Sequence, residues 1–184
     1  GNLSATQVAA LSGTQLTGLS TAQWTTLRKD QINAITSAQM SSIDSAALAK
    51  FSTTQIAALR TAVSGLSTSQ IVALETNQFQ GLGTNQIQAL SSSQIAAIET
   101  RDLVKLSTDQ LNSMTSTQII GLTTTQLANL TTDQLANLTT EDIQALTTAQ
   151  ITGLAASNLN SLSTSTLAAI ETADFATLTT AQIF

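Results

Sequence analysis

The sequence predicts an all-α solenoid, a superhelix of very short helices with one helix in each octapeptide. Three observations support this fold class. An eight-residue repeat, called an octad below, starts at Ser4 and continues to the end of the chain. Most octads have Ser or Thr at position 1 and Gln at position 4, and apolar side chains occupy positions 5 and 8. Since such repeats bury a core by stacking on their neighbours, we expect a single solenoid over residues 1–184.

The pattern inside an octad favours a short helix. Ser or Thr followed three residues later by Gln is a capping box: the hydroxyl accepts from the N3 amide, and the Gln side chain bonds the amide of the cap residue. Ser4 with Gln7 is the first example and Thr147 with Gln150 is a late one. The apolar residues at positions 5 and 8 then share one helix face. The helix ends where the next Ser or Thr caps its successor.

Other structures fit this period less well. A single long helix is incompatible with it, because eight residues advance by about 800° and the apolar stripe would drift around the helix. A β-solenoid stays the alternative, although it needs a turn in every octad and Gln and Ala are not favoured in strands. Isolated helices shorter than about 12 residues are marginal, so each octad helix must be held by its neighbours.

Longer offsets in the repeat are consistent with three octads in each superhelical turn. The segment SSSQIAAIETRDLVKL from Ser91 matches STSTLAAIETADFATL from Ser163, nine octads later. STSQIVALETNQFQGL from Ser67 matches the first of these at an offset of three octads. Both offsets are multiples of three octads. Small residues at position 7 would let successive helices approach closely, for example at Ala10, Gly18, Ala73, Gly81 and Gly121.

One register break interrupts the array at residues 60–66, where RTAVSGL is one residue short. The Gln position is lost there, and Val63 replaces the usual Ile one step early. We therefore expect the short helix in this unit to be absent, shortened or tilted.

The Gln residues at position 4 are the candidate site residues, and two roles are open to them. They could form a structural ladder that caps the helices, or an array that reads a ligand. The ladder is favoured because position 4 touches the cap and a buried amide must find hydrogen-bond partners. The residues concerned include Gln7, Gln15, Gln23, Gln31, Gln39, Gln55, Gln70, Gln126 and Gln150.

Aromatic residues replace Ile or Leu at position 5 in a few octads, at Trp24, Phe79 and Phe175. Such side chains could stack on sugar rings, but their phase in the repeat predicts that they fill the core.

Little catalytic chemistry is available to this composition. The chain has no His and no Cys, which removes imidazole bases, thiol nucleophiles, zinc sites of the usual type and disulfides. Glu75 and Glu99, like Asp109 and Asp133, are three octads apart and could stack on adjacent turns, but no calcium-loop motif accompanies them. We therefore predict a non-enzymatic protein with no catalytic residues, no metal site and no cofactor.

Charge and hydropathy limit the partners. The net charge is -5, and nucleic-acid binding needs clustered Lys and Arg, so we expect no nucleic acid. No apolar run approaches the roughly 18 to 20 residues that span a bilayer, so we expect no membrane insertion. End-to-end self-association and contacts with protein or glycan surfaces are the partner classes left open.

The octads TTTQLANL, TTDQLANL and TTAQITGL at residues 123–154 resemble a known kind of repeat. They are similar to the LTTAQIAAL octapeptide tracts (LTTxQIxxL in general form) of very large, Cys-poor secreted or surface proteins of bacteria. The resemblance covers essentially the whole chain. It implies an extracellular or cell-surface location and a spacer, stalk or adhesin-like role, and it carries no catalytic residues.

The sequence therefore predicts a structural repeat segment that serves as an elongated spacer or scaffold of a bacterial surface or secreted protein. The alternative is a binding module that uses its Thr/Ser-rich face on ice or glycans. That face would include the paired hydroxyls at Thr123, Thr124, Thr131, Thr132, Thr139, Thr140, Thr147 and Thr148.

Overall fold

The computed structural model describes residues 3–183, and in this range the chain is a succession of short helices without strands. The prediction of an all-α solenoid is confirmed, and the β-solenoid alternative is wrong for these residues. The helices, numbered along the chain, are α1 (Ala5–Ala9), α2 (Gly13–Thr17), α3 (Thr21–Thr25), α4 (Lys29–Asn33), α5 (Ser37–Met40), α6 (Ser45–Leu48), α7 (Thr53–Ala58), the 3-10 helix η1 (Arg60–Gly65), α8 (Thr68–Val72), α9 (Thr76–Gln80), α10 (Thr84–Ala89), α11 (Ser92–Ala96), α12 (Thr100–Leu103), α13 (Thr108–Asn112), α14 (Ser116–Gly121), α15 (Thr124–Ala128), α16 (Thr132–Ala136), α17 (Thr140–Ala145), α18 (Thr148–Thr152), α19 (Ala156–Leu159), α20 (Thr164–Ala168), α21 (Thr172–Phe175) and α22 (Thr180–Ile183).

Each octad repeats one local conformation. In the octad that begins at Ser67, the N-cap residue is extended at φ -71° and ψ 160°, and the helix then occupies the next five residues. Ser67 Oγ accepts from the backbone N–H of Gln70 at 3.2 Å, and Gln70 Oε1 accepts from the backbone N–H of Ser67 at 2.7 Å. A helix of this length has only one or two turns, so its stability must come from packing against other octads.

Helices pack on the helix three octads earlier. The same step links α11 to α14, α14 to α17 and α17 to α20, and it also links α1 to α4 and α4 to α7. The shortened unit counts as one octad in this series, because η1 packs between α5 and α10. Three octads therefore make one turn of the solenoid, as the offsets of three and nine octads indicated, and the step continues across residues 60–66.

The core is a continuous column built from positions 5 and 8. It extends from Val8 to Ile170, and residues at position 5 such as Ile71, Ile95 and Leu111 are completely buried. Burying a side chain of this size contributes roughly 1.5–3 kcal/mol, so the thin core gains its stability by repetition along the axis.

The aromatic residues at position 5 do not all fill the core. Trp24 and Phe79 are each 1% exposed, as predicted, and the Trp24 ring lies 5.9 Å from that of Phe51. The prediction is wrong for Phe175, which is 45% exposed. Phe175 lies in the last described turn, where no further octad covers position 5.

The small residues at position 7 have a different neighbour from the one expected. A Cβ atom added at Gly81 would lie 3.1 Å from Thr53 Cβ, and one at Gly121 would lie 2.7 Å from Ser92 Cβ. Both neighbours belong to position 2 of the octad three units earlier. The expectation that successive helices approach closely is therefore wrong, because successive octads lie a third of a turn apart and the close approach is between turns.

The shortened unit has a distinct conformation. Residues Arg60–Gly65 form the 3-10 helix η1, which follows α7 after Leu59 and has no N-cap hydrogen bond from a side chain. Val63 is 1% exposed and fills the core place of the missing Ile. Arg60 has φ 50°, a left-handed conformation that a residue with a Cβ adopts at a cost.

Arg60→Gly should stabilise the fold, because Gly adopts this left-handed conformation without a steric penalty. We expect the free energy of unfolding to rise by about 0.5–1 kcal/mol in urea titrations followed by circular dichroism. Thr61→Gly is the matched control, since the described residues include no other non-Gly residue with positive φ. That control should lose stability, and equal effects of the two variants would contradict this account of the junction.

Candidate functional site: the glutamine ladder

The Gln side chain at position 4 makes two sets of hydrogen bonds, one within its own octad and one to an earlier turn. The first set lies within its own octad. Gln126 Oε1 accepts from the backbone N–H of Thr123 at 2.8 Å, and Thr123 Oγ1 accepts from the backbone N–H of Gln126 at 3.1 Å. The bond made by Gln is kept where the cap residue has no hydroxyl. Gln31 Oε1, for example, accepts from the backbone N–H of Arg28 at 2.7 Å.

The second set joins one turn of the solenoid to the next. Gln126 Nε2 donates to the carbonyl oxygens of Ile95 at 3.0 Å and Ile98 at 2.8 Å, which occupy positions 5 and 8 four octads earlier. These carbonyls are available because they lie at the C-terminal end of a helix, where intrahelical partners run out. The Gln residues that donate to an earlier turn are Gln31, Gln39, Gln55, Gln70, Gln78, Gln86, Gln94, Gln110, Gln118, Gln126, Gln134, Gln150 and Gln182.

We call this set of contacts the glutamine ladder. Most of its side chains are buried, and Gln78, Gln70 and Gln134 are 1%, 3% and 2% exposed. A buried primary amide has two donors and one acceptor oxygen to satisfy. Here the acceptor is used by the octad's own cap and the donors by the previous turn, so the ladder fixes the distance and the register between turns.

The structure divides the Gln residues singled out from the sequence into two groups. Gln31, Gln39, Gln55, Gln70, Gln126 and Gln150 belong to the ladder. Gln7, Gln15 and Gln23 are exposed in the first turn, and the hydrogen bonds described for them are those of their own capping boxes.

Sequence reasoning missed the bonds between turns. The signal was the choice of Gln over Glu at position 4, since either residue completes a capping box but only Gln can also donate.

A few octads depart from Gln at position 4. Ala47 has no polar atom there, and Asn158 Nδ2 has the donor but a shorter reach, which brings it to Ala128 O at 3.1 Å. Asp142 accepts from the backbone N–H of Thr139 at 2.9 Å, completing its capping box, but a carboxylate cannot donate to the previous turn. The ladder is thus locally incomplete at these places.

Asp102 is the most buried polar departure, with 1% of its surface exposed. One of its oxygens accepts a hydrogen bond from Thr76 Oγ1, which belongs to the previous turn. The other lies 3.6 Å from Arg101 Nε and has no hydrogen-bond partner among residues 3–183. The same exchange of Gln for Asp recurs nine octads later, where Thr148 Oγ1 donates to Asp174 at 2.6 Å. The link between turns is kept, but its direction is reversed.

Exposed carboxylates have local effects. The backbone N–H of Glu141, in the first turn of α17, and the hydroxyl of Thr140 hold the pKa of the Glu141 carboxyl below its usual value. The hydrogen bonds from the Arg28 guanidinium lower the pKa of Asp30 in the same way. Neither group is buried, and the hydrogen bonds that lower each pKa come from the same octad.

Restoring a missing rung should stabilise the solenoid. Asp142→Gln keeps the acceptor for Thr139 and adds a donor facing the carbonyls of Leu111 and Met114, four octads earlier. We expect thermal and chemical unfolding to show a gain of about 1–2 kcal/mol, since a buried acceptor gains a partner and a buried carboxylate is removed. Asp142→Glu is the control because it is as long as Gln and cannot donate. A gain of the same size in both variants would show that the amide donor is not responsible.

Three octads per turn also determine which hydroxyls share a side of the solenoid. The octads that start at Thr123, Thr131 and Thr139 point to three different sides, so the paired hydroxyls singled out from the sequence do not form one face. Octads three apart do share a side. On one side, hydroxyls fill positions 1 and 2 in five described octads, a set we call the hydroxyl column: Ser67, Thr68, Ser91, Ser92, Thr115, Ser116, Thr139, Thr140, Ser163 and Thr164.

Neither a metal cluster nor a membrane-spanning helix occurs in the described part of the chain. Among residues 3–183, His, Cys, Asp and Glu side chains do not gather in any group of three that could hold a metal ion. None of the helices there has both the length and the apolar character to cross a membrane.

Comparison with known proteins identifies part of this array. The family model of the ALTTAQ repeat matches residues 63–98 and again residues 95–132. No curated protein matches the chain. The two matches overlap and include α8 to α15, in which all position 4 residues except Asp102 are Gln residues of the ladder. Residues 63–132 are therefore a repeat tract similar to ALTTAQ repeats.

Proposed function

We propose that the chain is a non-enzymatic structural segment, an elongated spacer, stalk or scaffold within a surface or secreted protein of a bacterium. The observation that carries this proposal is the uniform step of three octads between packed helices, with Gln rungs joining most turns to the one before. Stability in such an array is close to a sum of intrinsic terms and nearest-neighbour interfaces. Its length can therefore change by whole turns while its cross-section and its surface stay the same.

The proposed location rests on the resemblance of the octads to tracts in large, Cys-poor secreted or surface proteins. The match of residues 63–132 to ALTTAQ repeats supports the repeat tract. The absence of Cys makes the fold independent of the redox state outside the cell, because no thiol is present to be oxidised. The adhesin-like context is part of the proposal.

Deletion of one whole turn tests the spacer role. Removing residues 123–146, three octads, lets Thr147 follow Leu122 and brings Gln150 to the place of Gln126, opposite the carbonyls of Ile95 and Ile98. We expect the shortened chain to fold, to melt slightly lower, and to be shorter by one layer of helices, about 8–10 Å, in small-angle scattering.

A smaller deletion is the matched control. Removing residues 123–126 alone takes out half an octad, including the N-cap and the rung, and shifts every later residue out of phase. It should cost more stability than the removal of the whole turn. If the small deletion were better tolerated, or if the large one abolished folding, the chain would be one indivisible unit and the spacer role would be refuted.

A second candidate function is a binding module for ice or glycans, and the hydroxyl column favours it. Its residues at positions 1 and 2 are aligned on one side of successive turns, although the position 1 hydroxyls that cap helices already accept a backbone hydrogen bond, as at Ser91 and Thr115. Ice-recrystallisation assays and glycan arrays test this function. Replacing Thr68 and Ser116, two exposed members of the column, together by Lys should abolish any activity found, whereas the same change at Thr84 and Thr108, on another side, should not.

A further inference from the structure

We propose that two copies of this chain pair side by side and antiparallel, through an apolar strip on one side of the solenoid. The apolar strip consists of positions 6 and 7 in three successive turns on that side. Its members are Val72, Ala73, Ala96, Ala97, Ile120 and Gly121. The proposal adds a partner to the structural role proposed above and does not depend on it.

The apolar strip exposes two large aliphatic side chains at a position that is polar or small in most octads. Val72 is 44% exposed and Ile120 is 48% exposed. Among residues 3–183, the other large apolar side chains exposed to this extent are Phe175 and Ile183, both in the last described octads. Contact of such side chains with water costs free energy, and a contiguous exposed apolar patch is typical of an interaction site.

The residues of the strip share one side because their helices pack in one series. α8 packs on α11, and α11 packs on α14. The three octads concerned, 67–74, 91–98 and 115–122, contain no charged side chain. The core of a protein interface is depleted in charges in the same way. In these turns the other two sides carry the charges, at Glu75, Glu99, Arg101, Lys105 and Asp109.

Short neighbouring side chains allow a second copy to approach the strip. Position 7 is occupied by Ala73, Ala97 and Gly121, and positions 2 and 3 of the same octads carry only Ser or Thr. No long polar side chain of these octads therefore covers Val72 or Ile120.

The order of residues along the strip fits a two-fold axis at Ala96. Val72 lies one turn before Ala96, and Ile120 lies one turn after it. An axis through Ala96, perpendicular to the solenoid axis, brings Val72 of each copy opposite Ile120 of the other copy. Such a contact uses the same surface on both copies, so it closes at a dimer.

Charges next to the strip favour antiparallel over parallel copies. Lys50 lies on the same side one turn before the strip, Glu141 lies one turn after it, and both are exposed. The axis at Ala96 brings Lys50 of each copy to the turn that carries Glu141 of the other. Parallel copies would instead bring like charges together, and complementary charges fix the register of a contact. Asp44, in the octad of Lys50, already accepts from the backbone N–H of Ala46 at 3.1 Å.

Ile120→Gln tests the pairing in the full chain. Gln144 occupies position 6 on the same side, so Gln fits this place in the fold. Val104→Gln is the matched control, because Val104 is at position 6 on another side and is half-buried. Circular dichroism should show that both variants are folded as the wild type is.

Sedimentation equilibrium from about 10 μM to about 1 mM measures the association. A strip this narrow buries less than the roughly 1,200 Å² of stable complexes, so the wild-type dimer should have a Kd of about 0.1–1 mM. Ile120→Gln should weaken the dimer about fivefold or more, and Val104→Gln should dimerise as the wild type does. A wild type that is monomeric throughout, or an Ile120→Gln variant that pairs equally well, would overturn the proposal.

Introduced cysteines test the orientation, since the chain has no Cys of its own. Under mild oxidation, a mixture of Val72→Cys with Ile120→Cys should form a cross-linked dimer, and Ala96→Cys should cross-link to itself. Val72→Cys alone should not, because its two copies lie about 16–20 Å apart and a disulfide requires Cα atoms within about 7 Å. Gln88→Cys, exposed on another side, measures random collision.

Self-cross-linking of Val72→Cys above the level of Gln88→Cys would show parallel copies and overturn the antiparallel pairing. A mixture of Val72→Cys with Ile120→Cys that cross-links no more than Gln88→Cys would overturn it as well. The spacer role is tested separately, because the deletion of residues 123–146 is judged by folding and length and leaves the whole strip in place.

Discussion

Gly65→Ala is expected to destabilise the protein by about 3 kcal/mol or more, because the added methyl group meets backbone on the previous turn. A Cβ atom at Gly65 would lie 1.8 Å from the carbonyl oxygen of Ser37 and 2.5 Å from its carbonyl carbon. Neither atom is the end of a flexible side chain, so η1 and α5 would have to separate. Since η1 also packs against α10, the displacement would disturb three consecutive turns on that side.

Gly18→Ala is the control for this substitution. An added Cβ there has no contact closer than 3.4 Å, and Gly18 has an ordinary helical conformation at φ -76°. Replacing it should leave stability unchanged or raise it by about 0.5 kcal/mol through the lower entropy of the unfolded chain. Urea unfolding of both variants decides the matter. A Gly65→Ala variant as stable as the wild type would mean that η1 does not pack against α5 as described.

Gln126→Glu is expected to cost roughly 3–5 kcal/mol, although it changes one amide to a carboxylate of nearly the same shape. The capping box with Thr123 survives, because the carboxylate still accepts. The two donors facing the carbonyls of Ile95 and Ile98 are lost, and a negative charge replaces them at a site that is 3% exposed. Unfolding in urea at neutral pH measures the loss.

The pH dependence of this variant shows how much of the lost stability is due to the negative charge of the introduced carboxylate. Burial disfavours the ionised form, so the pKa of the introduced carboxyl should lie above its value in the unfolded chain. A group of this kind destabilises the fold increasingly as the pH rises, and lowering the pH should restore part of the stability. Gln23→Glu is the matched control, since Gln23 has the same capping box but donates to no carbonyl among residues 3–183. The Gln23→Glu variant should have nearly the same free energy of unfolding as the wild type.

The sequence allowed the single octad to be predicted in some detail. The Ser4 and Gln7 pair, repeated in phase, predicted a capping box, and the spacing of apolar positions predicted a helix with one buried face. These features depend on residues that are close together in the chain, and local hydrogen bonding dictates them. The offsets of three and nine octads between similar segments added the number of octads per turn.

What the sequence did not show were the contacts made between residues on neighbouring turns. The donors of Gln126 and the close approach of Gly121 to Ser92 depend on which helix lies opposite, and the repeat pattern inside an octad is the same whichever neighbour is chosen. Phe175 illustrates the same limit, because its phase in the repeat is that of a core residue, yet it is 45% exposed in the last described turn.

The most direct test of the ladder is a nuclear Overhauser measurement on the side-chain amide protons of Gln126 and Gln118 in the isotopically labelled chain. The structure predicts cross-peaks from the Gln126 amide to protons of residues 95–98, and from the Gln118 amide to those of residues 87–90. Cross-peaks confined to their own octads, or directed to residues one or two octads away, would contradict three octads per turn and the role of Gln between turns.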